Sequence, residues 1–201
     1  MEKLRQHIYF ASDFHLGVPD FDSSLKREKL ICRWLDSIKS DASEIYLVGD
    51  VFDFWFEYKD VVPKGFTRLL GKIAELTDSG IKITMFKGNH DMWTFGYWQK
   101  ELGVDLISNE LCIERNGKKF FIHHGDGLGP GDRSYKFIKK IFRNKLCIRL
   151  FGFLHPYIGV GLAKYLSGKS RISNGHNDKL YLGDDKEFIP LFCKEKLKSE
   201  Y

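Results

Sequence analysis

Three continuous, β-rich apolar runs alternate with two segments of helical periodicity, and this alternation constrains the fold more than any other feature. Residues 7–12 (His-Ile-Tyr-Phe-Ala-Ser), 44–48 and 81–86 are apolar without a period of two, as strands covered on both faces are. Between the first two, Leu30, Ile31, Trp34, Leu35 and Ile38 recur at helical spacing. Ser23 or Ser24 can cap that helix, whose side-chain oxygen would accept an otherwise unpaired N–H of the first turn. Between the second and third, residues 65–77 put Leu69, Leu70, Ile73 and Leu76 on one side, and Asp78-Ser79-Gly80 ends the segment. Strand, helix, strand, helix, strand predicts parallel pairing through right-handed crossovers, with the carboxyl ends of all three strands on one edge.

That edge is where the polar residues fall. The first run delivers Asp13-Phe14-His15, in which residues two apart point the same way from an extended chain. The second ends in Gly49-Asp50-Val51-Phe52-Asp53 and the third in Gly88-Asn89-His90-Asp91, each with a glycine that lets the backbone turn sharply off the strand. A fourth motif comes later. Residues 111–114 and 120–123 flank Asn116-Gly117, a signal for a type I′ hairpin, and the second arm ends in His123-His124-Gly125-Asp126. Asp13, His15, Asp50 and Asn89 are therefore expected to gather at the carboxyl edge, where open α/β sheets bind ligands. The aromatic cluster Phe52, Phe54, Trp55, Phe56 and Tyr58 is read, for at least half of its members, as core.

The remaining segments are plainer. Residues 94–102 read as a short helix, and a basic amphipathic helix starts at Asp132 or Ser134 and runs to about 144. Residues 146–166 read as an apolar helical hairpin, 168–177 as a polar loop and 184–198 as a last helix. Ten of the 32 Lys/Arg fall in residues 133–171, which contain no Asp or Glu, so the other residues are acidic on balance, 22 basic against 27 acidic. A basic, apolar segment on an acidic body points to an anionic partner. The four cysteines, Cys32, Cys112, Cys147 and Cys193, form no CxxC pair, which argues against a zinc knuckle or a disulfide framework and for a reducing, cytoplasmic setting. No signal peptide is read in the short charged start. The longest uncharged run after residue 140, 150–163, is shorter than the about 20 residues that span a bilayer. The expectation is one soluble α/β domain that at most lies on a membrane surface.

Asp, His, Asp, Asn and His form an oxygen and nitrogen donor set suited to Mn²⁺, Fe²⁺, Zn²⁺ or Mg²⁺. Two such ions can clamp both oxygens of an in-line phosphoryl displacement, and a nearby imidazole can protonate the departing oxygen. Taken together and in order, Asp13-x-His15, Gly49-Asp50-x-x-Asp53, Gly88-Asn89-His90-Asp91 and His124-Gly125-Asp126 resemble the calcineurin-like metallophosphoesterases. The resemblance implies a β-sheet core flanked by helices, an incomplete four-layer α/β/β/α sandwich with an inserted helical cap. It also implies two divalent metal ions, Mn²⁺ foremost, with Asp13 and His15 serving one, Asn89 and His124 the other, and Asp50 bridging. His90 would act at the phosphoryl group, oriented by Asp91, and Asn89 would also touch substrate. His123 could compete with His124, but the His-Gly-Asp pattern selects His124.

Within that family the chain is most similar to the UDP-2,3-diacylglucosamine pyrophosphohydrolases of lipid A synthesis. The pointers are Asp13-Phe14-His15-Leu16-Gly17, Gly49-Asp50-Val51-Phe52-Asp53-Phe54-Trp55, Gly88-Asn89-His90-Asp91-Met92-Trp93 and His124-Gly125-Asp126-Gly127 before a basic helical insertion. Those enzymes release UMP and a lipid monophosphate from a lipid-linked nucleotide sugar. The domain reading is then a core over 1–131, a cap over 132–171 and a return to the core over 172–201. Asp132 matches an acidic position read as contacting the sugar; Lys169 and Arg171 are phosphate candidates from charge and position. A basic, apolar cap fits both such a substrate and an anionic inner-membrane surface on its cytoplasmic face. A metallophosphoesterase acting on nucleic acid, with the basic stretch on the phosphate backbone, is the rival enzyme reading. The apolar 146–166 segment argues against it, so no nucleic-acid partner is expected. A lipid-surface-binding fragment without turnover is the non-enzymatic rival. The family closes its site with a later Gly-His-x-His, which this chain lacks. His155 reads as structural, and His176 has the wrong neighbours for a ligand. A truncated sequence, with weakened metal binding and low activity, is the resulting expectation.

Overall fold

The computed structural model describes residues 5–129, 133–174 and 183–200, with side chains left out of the description at 169–174 and 199–200. The chain divides into two compact units, Met1–Leu111 with Ile122–His124, and Cys112–Phe121 with Gly125–Tyr201.

The first unit is the expected β-α-β-α-β succession. Strands β1 (His7–Ala11), β2 (Ala42–Leu47), β3 (Lys82–Phe86) and β4 (Asp105–Ile107) form one sheet in the order β1-β2-β3-β4, every neighbouring pair parallel. Helices α1 (Phe21–Ile38), α2 (Thr67–Asp78) and α3 (Tyr97–Leu102) supply the crossovers. Because side chains alternate across a strand, Ile45, Leu47, Ile83 and Met85 fall on one face. They form a single core with Ile31 and Leu35 of α1, Leu69, Ile73 and Leu76 of α2, and Trp98 and Leu102 of α3. Tyr46, Thr84 and Phe86, of opposite parity, are buried as well, which accounts for strands that read as continuous apolar runs. The aromatic cluster is core, as read: Phe52, Phe54, Trp55 and Phe56 are all buried.

Several boundaries differ from the sequence reading for physical reasons. The cap of α1 is Asp20, whose carboxylate accepts from Ser23 N, while the Ser24 hydroxyl instead accepts from Gly17 N. Helix α2 has no side-chain cap of its own. The buried carboxylate of Glu28, forty residues earlier, accepts from Arg68 N and Leu69 N. Helix α3 starts at Tyr97, later than expected, because Glu57 Oε2 accepts from Phe95 N, Gly96 N and Tyr97 N and the Thr94 hydroxyl turns back to Asp91 O. Local spacing does not carry such long-range caps. The edge strand β4, three residues long and begun by an aspartate, was not anticipated at all.

In the second unit, β5 (Leu111–Arg115) and β6 (Lys118–Ile122) pair around Asn116-Gly117, whose φ values of 53° and 70° are those of the expected type I′ turn. Helices α4 (Arg133–Phe142), α5 (Lys145–Gly152), α6 (Pro156–Asn174) and α7 (Phe188–Glu200) follow. Asn144 caps α5, and His155 Nδ1 accepts from Tyr157 N at the start of α6, the structural role expected of it. Residues 168–174 are helix rather than loop: a lone Gly168 costs about 1 kcal/mol against alanine, and no proline stops the helix. Phe192 and Lys196 of α7 pack on the Phe121 ring of β6. No side chain of α4 or α5 is buried.

Candidate metal centre and phosphoryl site

The loops that leave β1, β2 and β3 continue the parallel pairing beyond the strands. Leu16 N donates to Val51 O and Asp53 N to Leu16 O; farther along, Trp55 N donates to His90 O and Glu57 N to Trp93 O. The three motif loops are thus zipped together by backbone hydrogen bonds, and their side chains are held by the same ladder that holds the sheet.

Three of the side chains sit on strained backbone. Asp13, His15 and Asp50 have φ of 58°, 43° and 53°, in the left-handed region that non-glycine residues rarely occupy. Strain of this kind persists where the surroundings over-determine it, and it gathers at functional sites. The glycines before Asp50 and Asn89 are required by close approach. A Cβ on Gly88 would lie 2.1 Å from Asp50 Oδ1, and one on Gly49 would lie 2.6 Å from His124 Nδ1.

Asp50 is the centre of the cluster. Its Oδ2 lies 3.6 Å from His15 Nε2 and 3.4 Å from His124 Nε2, and its Oδ1 accepts from His90 N at 2.9 Å. His15 Nε2 is also 3.6 Å from Asp13 Oδ1. Burial alone would raise the Asp50 carboxyl, but the hydrogen bond and charge of His124, with the His90 N–H, leave it below its usual range. His124 Nδ1 lies 2.8 Å from the Val48 carbonyl, which can only accept, so the ring proton belongs on Nδ1. Its Nε2 faces Asp50 Oδ2 and, at 3.2 Å, Asn89 Oδ1, where either a proton or a metal ion can sit between the ring and the two oxygens. A cation there would satisfy the converging oxygens, and this donor set fits a hard to borderline divalent ion. Asp13, His15 and Asp50, and separately His15, Asp53 and His90, are close enough to share one ion.

Asp53 and Asp91 have exchanged the roles that adjacency in sequence suggests. Asp91, expected to orient His90, is fully buried and takes up backbone N–H groups: Gly88 N and Asp50 N on Oδ1, Val51 N and Phe52 N on Oδ2. It binds the second motif loop to the third. Burial, then the charge of Asp50, pushes its carboxyl up to about 7 against the opposing Gly88 and Phe52 N–H groups. The His90 ring instead meets Asp53, with Nδ1 2.9 Å from the carbonyl and 3.4 Å from the buried carboxylate. Asp53 also lies 3.8 Å from His15 Nδ1, and the two imidazoles are edge to face with centroids 5.0 Å apart. Asp53 belongs to the second motif, but the motif alone assigns it no role. Its position three residues after Asp50 on a looping chain was the available signal.

Of the residues expected at the site, Asp13, His15, Asp50, Asn89, His90 and His124 are brought together. Asp132 and His176 lie outside the described residues, as do the side chains of Lys169 and Arg171. Asp126, two residues past His124, accepts from Tyr135 Oη and pairs with Lys139 Nζ, both at 2.5 Å, tying the loop after β6 to α4 within the second unit.

Comparison with known proteins agrees with this geometry. The calcineurin-like phosphoesterase family matches residues 6–160. A protein of Porphyromonas gingivalis named UDP-2,3-diacylglucosamine hydrolase is 41% identical over 96% of this chain and 78% of its own length. Proteins of the same name from Neisseria meningitidis serogroup B and Yersinia pestis are 32% and 27% identical. They match 71% and 92% of this chain and 58% and 75% of their own lengths. The chain thus spans less than two thirds of the Neisseria relative. With the family matched over more than three quarters of its residues and the site built from the corresponding motifs, the chain belongs to the calcineurin-like phosphoesterase family, whose members use divalent metal ions.

Proposed function

We propose that this chain hydrolyses the diphosphate bond of UDP-2,3-diacylglucosamine to UMP and 2,3-diacylglucosamine 1-phosphate, a step of lipid A synthesis. The observation that carries the proposal is the convergence of Asp13, His15, Asp50, Asn89 and His124 at the ends of paired strands, beside a His90 held by Asp53. The names of its relatives supply the substrate. Asp13 and His15 would hold one divalent ion, Asn89 and His124 a second, and Asp50 both; Mn²⁺ suits the donors. When bound, such ions supply positive charge at the phosphate oxygens.

The chain's own residues then do the following. Asp50 accepts the His90 N–H, so the loop carrying His90 is fixed against the metal-binding carboxylate. Asp53 accepts from His90 Nδ1, which leaves Nε2 as the edge offered to substrate. Water adds to one phosphorus of the diphosphate and loses a proton to the solvent, the bond from that phosphorus to the bridging oxygen breaks, and the departing oxygen takes a proton from the His90 imidazole, which solvent then restores. Asn89 carries an amide that can serve a phosphate oxygen as well as an ion. Residues 132–171 would form the cap, with Asp132, Lys169 and Arg171 toward sugar and phosphate.

The exposed apolar and basic side chains of α4–α6 favour an anionic membrane surface as the place of action. Among the described residues, no helix is long and apolar enough to cross a membrane. The test is UMP release from UDP-2,3-diacylglucosamine by the Mn²⁺-loaded chain, run beside single- and double-stranded nucleic acid. Cleavage of nucleic acid with no UMP release would overturn the proposal.

A further inference from the structure

The first unit contains a cavity of about 630 Å³ that the metal centre does not use, within the size range of small-ligand sites. Its walls come from residues 57–62 and 95–101, the continuations of the two loops that carry Asp53 and His90. Glu57 follows Asp53 by four residue steps, a span of at most about 14 Å when extended. The segments run side by side over this distance, joined by Glu57 N to Trp93 O and by the Phe56–Trp93 bridge. Aromatic rings connect the two places: Phe54 packs on Trp93, Trp93 on Phe56, and Phe56 on both Tyr58 and Phe95, with centroids 4.6–5.9 Å apart.

One wall is fixed and the rim is free. Glu57 is fully engaged, accepting three N–H groups at the start of α3 and the Trp55 indole N–H. The Phe95 ring is 49% exposed and Val61 50%, so an apolar shelf faces outward. Around it stand Lys59, Asp60, Lys100 and Glu101, whose side chains make no hydrogen bond or ion pair among the described residues. An acyl chain would leave these charges unanswered. A uracil ring would not: it has a flat face for stacking, two carbonyl oxygens for ammonium donors and an N–H between them for a carboxylate. Ribose hydroxyls can use the second carboxylate.

We propose that this cavity is the nucleoside subsite, taking the uracil base of a uridine nucleotide whose phosphates lie at the metal centre. The proposal rests on the hydrolase reading above for the identity of the base. It is tested by calorimetric binding of UMP and of ribose 5-phosphate, which lacks the base, to the Mn²⁺-loaded chain. UMP should bind at least about 10-fold more tightly than ribose 5-phosphate, the worth of one stacked base. Phe95→Ala and Lys100→Ala should each reduce that ratio severalfold while ribose 5-phosphate binding stays as it was. Both side chains lie at the surface, and Lys100→Ala is a favourable helix substitution, so at least that variant tests the site without threatening the fold.

A ratio near one in the unaltered chain, or a ratio insensitive to both substitutions, overturns the proposal whether or not UMP is released from the lipid substrate. A base-dependent ratio that Phe95→Ala and Lys100→Ala lower, in a chain that does not cleave the lipid substrate, upholds the nucleoside subsite and removes the hydrolase reading instead.

Discussion

The two compact units treat their apolar residues in opposite ways. In the first, α1, α2 and α3 each bury an apolar stripe against the sheet, and the motif loops are fixed by backbone pairing and by the buried Asp91. In the second, Phe137, Leu146, Phe153 and Tyr157 are 65–84% exposed on or beside helices bearing an unbroken excess of Lys and Arg. The difference teaches where precision is needed. Phosphoryl chemistry depends on side chains held within fractions of an ångström, so strained backbone is built into the part with the densest core. The membrane contact we propose for the second unit would need area, aromatic anchors and positive charge rather than a fixed register.

The contrast breaks most visibly at Asp50. Asp50→Ala should abolish tight binding of divalent metal and lower hydrolysis by about 10³-fold or more, because one carboxylate faces both His15 and His124. Metal titration with calorimetry checks this, and retention of one tight equivalent would show that Asp50 does not bridge. Asp53→Asn keeps the backbone carbonyl that orients His90 and removes only the carboxylate charge 3.4 Å from its Nδ1, so it should leave metal affinity largely in place and lower kcat by about 10-fold, the loss of the charge that supports the imidazolium. A loss of metal binding equal to that of Asp50→Ala would instead make Asp53 a ligand.

Asp91 tests the rigidity of the first unit. Asp91→Ala strands the N–H groups of Gly88, Asp50, Val51 and Phe52 in a buried place. Leaving buried donors unpaired costs about 3 kcal/mol, so thermal unfolding should shift clearly downward even without metal. If Asp91→Ala unfolded as the unaltered chain does and lost only activity, the orienting role that sequence adjacency suggests would be restored.

This exchange between Asp53 and Asp91 marks the limit of what the chain's order makes legible. The strand–helix alternation, the parallel pairing, the carboxyl-edge location and five metal-binding candidates were readable because each depends on a local pattern, an apolar run that gives way at once to polar residues. The hairpin was readable from Asn116-Gly117 for the same reason. Asp53, Glu28 and Glu57 were not, because each acts on backbone or rings 37–41 residues away, and no spacing rule encodes which carboxylate arrives there. The helical continuation through 168–174 was misread from a polar composition that a solvated helix shares with a loop.

The second unit should respond in the reverse sense. Phe153→Ser with Tyr157→Ser removes rings that are 77% and 84% exposed, so stability should change by no more than about 0.5 kcal/mol. Sedimentation with vesicles rich in phosphatidylglycerol should fall severalfold. Phe21→Ser, which removes an equally exposed ring from α1 of the first unit, should leave sedimentation unchanged. Equal losses from both variants would mean that exposure alone, and not the basic surroundings of α5 and α6, governs attachment.

The smallest effect is expected on the outer surface of the first unit, where Lys72 joins Asp36 of α1 and Glu75 of α2, and Glu75 also meets Lys39. The hydrogen bonds from Lys39 and Lys72 hold the Glu75 carboxyl down at about 2, and those to Asp36 and Glu75 push the Lys72 ammonium up to about 12. A carboxyl lowered on folding contributes stability above its ordinary range and loses it as pH falls through the lowered value, so the Glu75 contribution fades between about pH 4.5 and 2. The ammonium, raised on folding, contributes below about 10.5 and fades as pH climbs to about 12. Across neutral pH both contributions are present and flat. Glu75→Gln should therefore flatten part of the acid limb of a denaturation profile and barely move the thermal midpoint near pH 7, since water and salt screen exposed pairs. A large neutral-pH loss would show that the contact between α1 and α2 relies on these charges as well as on the buried stripe of Ile31, Leu35, Leu69 and Ile73, and the division between a fixed interior and a permissive surface would have to be redrawn inside the first unit itself.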